Sequence, residues 1–100
     1  MTSTAFSLHA KVALVIGAGQ PIGGAVAIAL AEAGAHVALT TTLQTKQDAA
    51  AAHACMNDIL IRHRESRVHA IDVTNEQEVQ TAIQQTVTQY GRLDILVNAP

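Results

Sequence analysis

Apolar residues recur along the chain in two alternating rhythms. Short runs at Lys11 to Ile16, Ala35 to Thr40, Arg67 to Asp72 and Leu93 to Asn98 have the length of strands. The first two are nearly continuous rather than alternating, which predicts strands buried on both faces of a parallel sheet. Between the runs the spacing turns helical. Gly24 to Ala33 carries Val26, Ile28 and Leu30 among alanines, apolar almost all round, and Gly34 stands where a helix would close; a well-buried helix is expected. After a polar loop, Thr41-Thr42-Leu43-Gln44-Thr45, a second helix is predicted from near Thr45 to about His63. Ala52, Cys55, Met56, Ile59, Leu60 and His63 fall on its sheet-facing stripe. Glu65 and Ser66 make a polar break. Thr74 followed by Gln77 has capping-box spacing, and Val79, Ala82, Ile83, Thr86, Val87 and Tyr90 mark the buried side of a third helix closed by Gly91. Met1 to Ser7 reads as a lead-in, with Phe6 and Leu8 placed to tuck under the helix layer.

Four strands alternating with three helices predict an α/β fold, because parallel strands need right-handed helical crossovers and so form a doubly wound parallel sheet. The order expected for a nucleotide-binding version is 3-2-1-4. The chain then reverses between the first and fourth strands, leaving a crevice at their carboxyl ends where Gly17 to Gly23, Asp72 and Asn98 converge. A doubly wound rival with carboxylates at the end of its first strand fits less well, since that strand ends in Ile16-Gly17.

Composition narrows the picture. A chain of 100 residues makes one domain at most, and 49 % hydrophobic with 14 % charged residues marks a globular, soluble chain. Only 2 % is aromatic, so the core must be built from Ala, Val, Ile and Leu. The net charge is -2 with the basic residues scattered singly, which gives no footprint for nucleic acid or an anionic membrane. No apolar stretch has the length of a membrane span and the first ten residues lack the pattern of a secretory signal, so a cytoplasmic location is expected. The single Cys55 excludes an internal disulfide and agrees with a reducing compartment.

The candidate chemistry sits in Gly17-Ala18-Gly19-Gln20-Pro21-Ile22-Gly23, between the first strand and the first helix. A strand, a glycine turn and a helix N-terminus bring backbone N–H groups to one point where an anion can sit. Gly17 and Gly19 allow left-handed or close-approach backbone, and Gly23 lets the helix approach the sheet or a pyrophosphate. The same glycines also suit an ordinary βα turn. Other chemistries find less support. His53 and Cys55 are two apart on a helix and point to different faces, His36, His63 and His69 have no partner at ligand spacing, and Ser3, Ser7 and Ser66 have no base nearby, so no metal site and no nucleophilic centre is expected. Cys55 reads as a small core residue.

Three stretches together resemble the short-chain dehydrogenase/reductase family. Lys11 to Gly23 is similar to its first strand and T-G-x-x-x-G-x-G motif, Asp72-Val73-Thr74 to the D-V-T after its third strand, and Gly91-Arg92-Leu93-Asp94-Ile95-Leu96-Val97-Asn98-Ala99 to the G-x-x-D-x-L-V-N-N-A-G around its fourth. The resemblance implies a Rossmann-like NAD(P)-binding portion over residues 1–100, the incomplete half of a larger fold without its catalytic portion. It also implies an oxidoreductase moving hydride between carbonyl and alcohol, in a homo-oligomeric parent protein. Position by position it gives Gly17, Gly19, Gln20 and Gly23 to the phosphate turn, and Ile22 a backbone N–H toward the pyrophosphate. Asp72 would bond the adenine amino group and Val73 lie against the ring, with Asn98 and Ala99 along the nicotinamide ribose. Read without the family, Asp72 and Thr74 simply begin a helix and Asn98 ends a strand.

The sequence departs from the family pattern in four places. Ile16 replaces the motif threonine, removing a hydroxyl that would tie the turn. Pro21 stands at the middle glycine and offers no N–H. The second strand ends in Thr40-Thr41-Thr42 where NAD-preferring members place an acid; with Thr41, Thr42 and Lys46 available to a 2′-phosphate, the sequence leans to NADP over NAD. Finally, no Tyr-x-x-x-Lys pair occurs in these 100 residues, since Tyr90 is followed by Gly91-Arg92-Leu93-Asp94. No catalytic residue is therefore assigned. Two readings follow: the cofactor-binding part of an oxidoreductase, inactive alone and prone to self-association at an uncovered fourth strand, or a truncated non-catalytic nucleotide-binding or interaction module.

Overall fold

A computed structural model describes residues 7–42 and 46–98. The predicted loop residues Leu43 to Thr45, together with Phe6 and Ala99, lie outside them. The elements run β1 (Val12–Ile16), α1 (Pro21–Glu32), β2 (His36–Thr42), α2 (Lys46–Ile61), β3 (Ser66–Ile71), α3 (Glu76–Tyr90) and β4 (Ile95–Asn98). All pairings are parallel and the order is β3-β2-β1-β4, as the alternation predicted.

The core follows from the two continuous apolar runs. Every residue of β1 is buried, as are Val37 to Thr41 of β2, because helices cover both faces of the sheet. On one face Ala13, Val15, Val37 and Leu39 meet Ala27 and Ala31 of α1 and Cys55 and Ile59 of α2. Leu8 packs against that cluster, as expected from the lead-in. On the other face Leu14, Ile16 and Ala38 meet Val79, Ile83 and Tyr90 of α3, and Leu93. Among the described residues no helix is long and apolar enough to cross a membrane.

Several boundaries and faces differ from the sequence reading, each for a local reason. Thr41 and Thr42 continue β2 rather than starting a loop, because they pair with Ala70 and Ile71 of β3. Ser66 opens β3 instead of breaking the chain, by pairing with Val37. Helix α1 is not buried all round: its buried stripe is Gly23, Ala27 and Ala31, while Val26, Ile28 and Leu30 are half-buried. It ends as expected at Gly34, whose φ of 113° lets Gly34 N–H reach Ala31 O and Ala35 N–H reach Leu30 O. Helix α2 closes the same way with His63 at φ 61° in the glycine's place, which takes His63 off the predicted stripe; Leu60 is exposed as well. Helix α3 is capped by Asn75, not Thr74. The Asn75 side chain accepts from Gln77 N–H at 3.0 Å and Glu78 N–H at 3.3 Å. Leu93 and Asp94 precede β4 rather than belonging to it.

Candidate functional site

The glycine turn is pinned from below by β2. Gly17 takes φ 92°, a conformation that favours glycine, and Gln20 N–H returns to Gly17 O at 3.0 Å to close the turn. Gly17 N–H donates to Thr40 Oγ1 at 3.3 Å and Ala18 N–H to Thr40 O at 2.9 Å. Thr40, fully buried and opposite Ile16 in the sheet, thus supplies the hydroxyl that Ile16 lacks. Sequence reasoning missed it because the compensating residue lies on another strand. The register of β1 against β2 is the signal that finds it.

Pro21 occupies the first turn of α1, where its missing N–H costs the helix nothing and its fixed φ suits the start. The first helical bond runs from Gly24 N–H to Gln20 O at 2.9 Å, so the Ile22 and Gly23 N–H groups belong to the uncapped first turn. No acidic side chain stands in that turn and Gln20 gives it no side-chain cap. This leaves the positive end of α1 open to an anion.

At the carboxyl ends of the strands lies a cleft of about 140 Å³. Gly17, Gly19 and Gln20 form one wall, and Thr41 and Thr42 at the end of β2 form the next. Val73, after β3, and Asn98, at the end of β4, complete it. Seven of the residues singled out from sequence therefore meet at one place. Gly23 is buried in α1 and Ile22 is 74 % exposed beside the cleft rather than in its lining. Asp72 does not line it either. Its Oδ1 accepts from Thr74 N–H at 2.9 Å and Thr74 Oγ1 at 2.6 Å, and these bonds hold the Asp72 carboxyl below its ordinary pKa. Ala99 is outside the described residues.

The cleft is also lined by Ile16, which sequence reasoning had named only as a departure from the motif, and by Asp48, which it did not name at all. Asp48 comes from the first turn of α2 and accepts from Gln20 Nε2 at 3.2 Å. The contact is close: a Cβ on Gly19 would lie 2.6 Å from Asp48 O and 2.9 Å from Asp48 Cβ. Gly19 is thus required for α2 to reach the turn. Only a residue-to-residue contact across 29 positions could have announced Asp48, and no motif carries it.

Thr41 borders the cleft and is 2 % exposed, and among the described residues its Oγ1 has no hydrogen-bond partner. The glycine turn and the open helix N-terminus together suit a phosphorylated ligand. Tyr90 lies elsewhere. It stacks on His36 at the amino end of β2, with ring centroids 6.4 Å apart, and packs against the core, where burial pushes its phenol pKa up. Cys55 is buried in the core, as expected, and burial raises its thiol pKa.

Comparison with known proteins gives the same direction. The family model of the short chain dehydrogenases matches residues 11–99. A 3-oxoacyl-[acyl-carrier-protein] reductase of Synechocystis is 37 % identical over 92 residues, covering 92 % of this chain and 36 % of the relative. A crystal structure of a dehydrogenase/reductase from Sinorhizobium meliloti superposes with a TM-score of 0.86 at 36 % identity, covering 96 % of this chain and 36 % of that one. A putative dehydrogenase from Burkholderia cenocepacia with bound NADP gives a TM-score of 0.80 at 25 % identity, covering 93 % of this chain and 35 % of that one. The chain spans about a third of the length of the relatives it matches.

Proposed function

The chain belongs to the short chain dehydrogenase family, and from that premise we propose that residues 1–100 are the N-terminal, NAD(P)-binding portion of an oxidoreductase that interconverts a carbonyl and an alcohol. The observation that carries the proposal is the convergence of Gly17, Gly19, Gln20, Thr41, Thr42, Val73 and Asn98 on one cleft beside the open end of α1. A nicotinamide dinucleotide, when bound, supplies the hydride chemistry at C4 of its ring.

In this reading the Ile22 and Gly23 N–H groups bind the pyrophosphate, assisted by the α1 dipole, and Gly17 gives the phosphates close approach to the backbone. Thr41 and Thr42 face the adenosine ribose, and Val73 lies against the adenine, with Asp72 bonding its amino group. Asn98 and Ala99 hold the nicotinamide ribose. None of these groups is a general acid or nucleophile, so the 100 residues bind cofactor but do not turn over substrate. The reading also holds that the edge strand β4, with Leu96 51 % exposed, draws the isolated chain into self-association, which size-exclusion chromatography measures.

Ligand-observed NMR with NADH and NADPH tests the binding, with a Kd on the order of 1 mM expected for a half-site. An assay of the purified chain with a panel of ketones tests the rest. Absence of binding to either cofactor contradicts the proposal, and genuine turnover contradicts the assignment of catalysis to residues outside these 100.

A further inference from the structure

We propose that Asp48 is the residue that sets cofactor preference in this chain, its carboxylate in the cleft favouring NAD(H) over NADP(H). This rests on the dinucleotide-binding reading above and reverses the lean drawn from sequence. That lean came from the absence of an acid at the end of β2, where the sequence is Thr40-Thr41-Thr42. The fold supplies the acid from a different element.

The placement is specific. The pyrophosphate subsite at the start of α1 divides the cleft into a side formed by β2 and β3 and a side formed by β4. Thr41, Thr42 and Val73 belong to the first side, and α2 packs on β2 and β3. Asp48 therefore enters the adenosine half. Its carboxylate accepts from Gln20 Nε2 at 3.2 Å, and the close approach of its backbone to Gly19 sets where the side chain starts, beside the glycine turn. Among the described residues it is the one charged side chain lining the cleft; Lys46, two residues before it, is exposed at the helix start.

The charge decides the preference. A 2′-phosphate is a near-dianion at neutral pH, and bringing it next to a carboxylate in a partly enclosed cleft is unfavourable by Coulomb repulsion that salt screens only in part. A free 2′-hydroxyl has the opposite response, since it can donate a hydrogen bond to the same carboxylate. Both terms act in the same direction.

The test is parallel titration of the chain with NADH and NADPH by ligand-observed NMR, with trimethylamine N-oxide present to hold the fold and circular dichroism to verify it. NADH is expected to bind at least about tenfold tighter than NADPH at low ionic strength, with the ratio shrinking as salt is added. Asp48→Asn, close to isosteric, should bring the ratio to near one, chiefly by strengthening NADPH binding. Asp48→Glu, which keeps the charge, should retain a preference for NADH. If Asp48 only braces Gln20, both cofactors weaken together in Asp48→Asn at an unchanged ratio, and the inference is overturned. A parent chain that binds NADPH as well as or better than NADH overturns it too while leaving the dinucleotide reading intact. Failure of the folded chain to bind either cofactor removes both.

Discussion

β1 and β4 are paired neighbours in one sheet and live in different surroundings. All five residues of β1 are buried, whereas β4 alternates between half-buried and exposed. Ile95 and Val97 face the packed side, and Leu96 is left 51 % exposed on the other. The β1–β2 half is where the glycine turn is pinned, the cleft is lined and the polar bonds are made. The contrast teaches that the glycine-turn side of the cleft rests on a closed core, while the β4 side contributes Asn98 from a strand with little support of its own.

The largest test of that contrast is truncation in the two strands. Leu14→Ala should cost about 3 kcal/mol or more, the range for a buried leucine with a cavity left behind. Leu96→Ala should cost less than about 1 kcal/mol, because half of that side chain is already in water. Denaturant melts of both variants measure the difference; equal costs would mean that β4 is as firmly held as β1.

Gly19→Ala comes next. Its Cβ would meet the Asp48 backbone at 2.6 Å, an atom that cannot rotate out of the way, so the turn and α2 must separate. Overpacking of this kind costs about 1–3 kcal/mol, and cofactor binding should fall with it. Thr40→Val is a smaller change on the same side. It removes the acceptor for Gly17 N–H while keeping the shape, and a loss of about 1 kcal/mol in a melt is expected. A neutral result would show that the Thr40 hydroxyl does not replace the one missing at Ile16.

A pH titration sharpens the comparison on the β4 side. Asp94, just before β4, accepts from Arg92 Nη2 at 2.7 Å and from Val12 N–H at 2.9 Å, which ties the entry of β4 to the start of β1. The Arg92 bond first, then the Val12 bond, lowers its pKa below the ordinary 3.8. A depressed folded-state pKa contributes stability that is full above 3.8 and is lost as pH falls through the lower folded value. Asp72 is lowered by Thr74 and acts in the same sense. Melts below pH 4 should therefore show a loss that Asp94→Asn reduces; a variant with the wild-type acid profile would show that the tie contributes nothing.

Much of this was legible in the chain itself. Continuous apolar runs gave β1 and β2 as doubly buried strands, Gly34 and Gly91 gave two helix ends, and the strand–helix alternation, taken as a nucleotide-binding version, gave the strand order. What stayed hidden depended on pairing between distant residues. Thr41, Thr42 and Ser66 look like loop until β2 meets β3, and His63 looks like a stripe residue until the backbone takes φ 61° there. Asn75 outcompetes Thr74 as cap because Thr74 is already committed to Asp72. Thr40 under Gly17 and Asp48 against Gly19 are contacts that no local pattern encodes.

The central claim is that the dinucleotide sits in the cleft at the carboxyl ends of β1, β2 and β4. Amide chemical-shift mapping of the isotopically labelled chain during an NADH titration tests it most directly. The account predicts that shifts concentrate at Gly17, Gly19, Ile22, Thr42, Val73 and Asn98, with Gln84, Gln85 and Gln89 on α3 silent. Shifts centred on α3 and β3, or saturation without any change in the glycine turn, would contradict it.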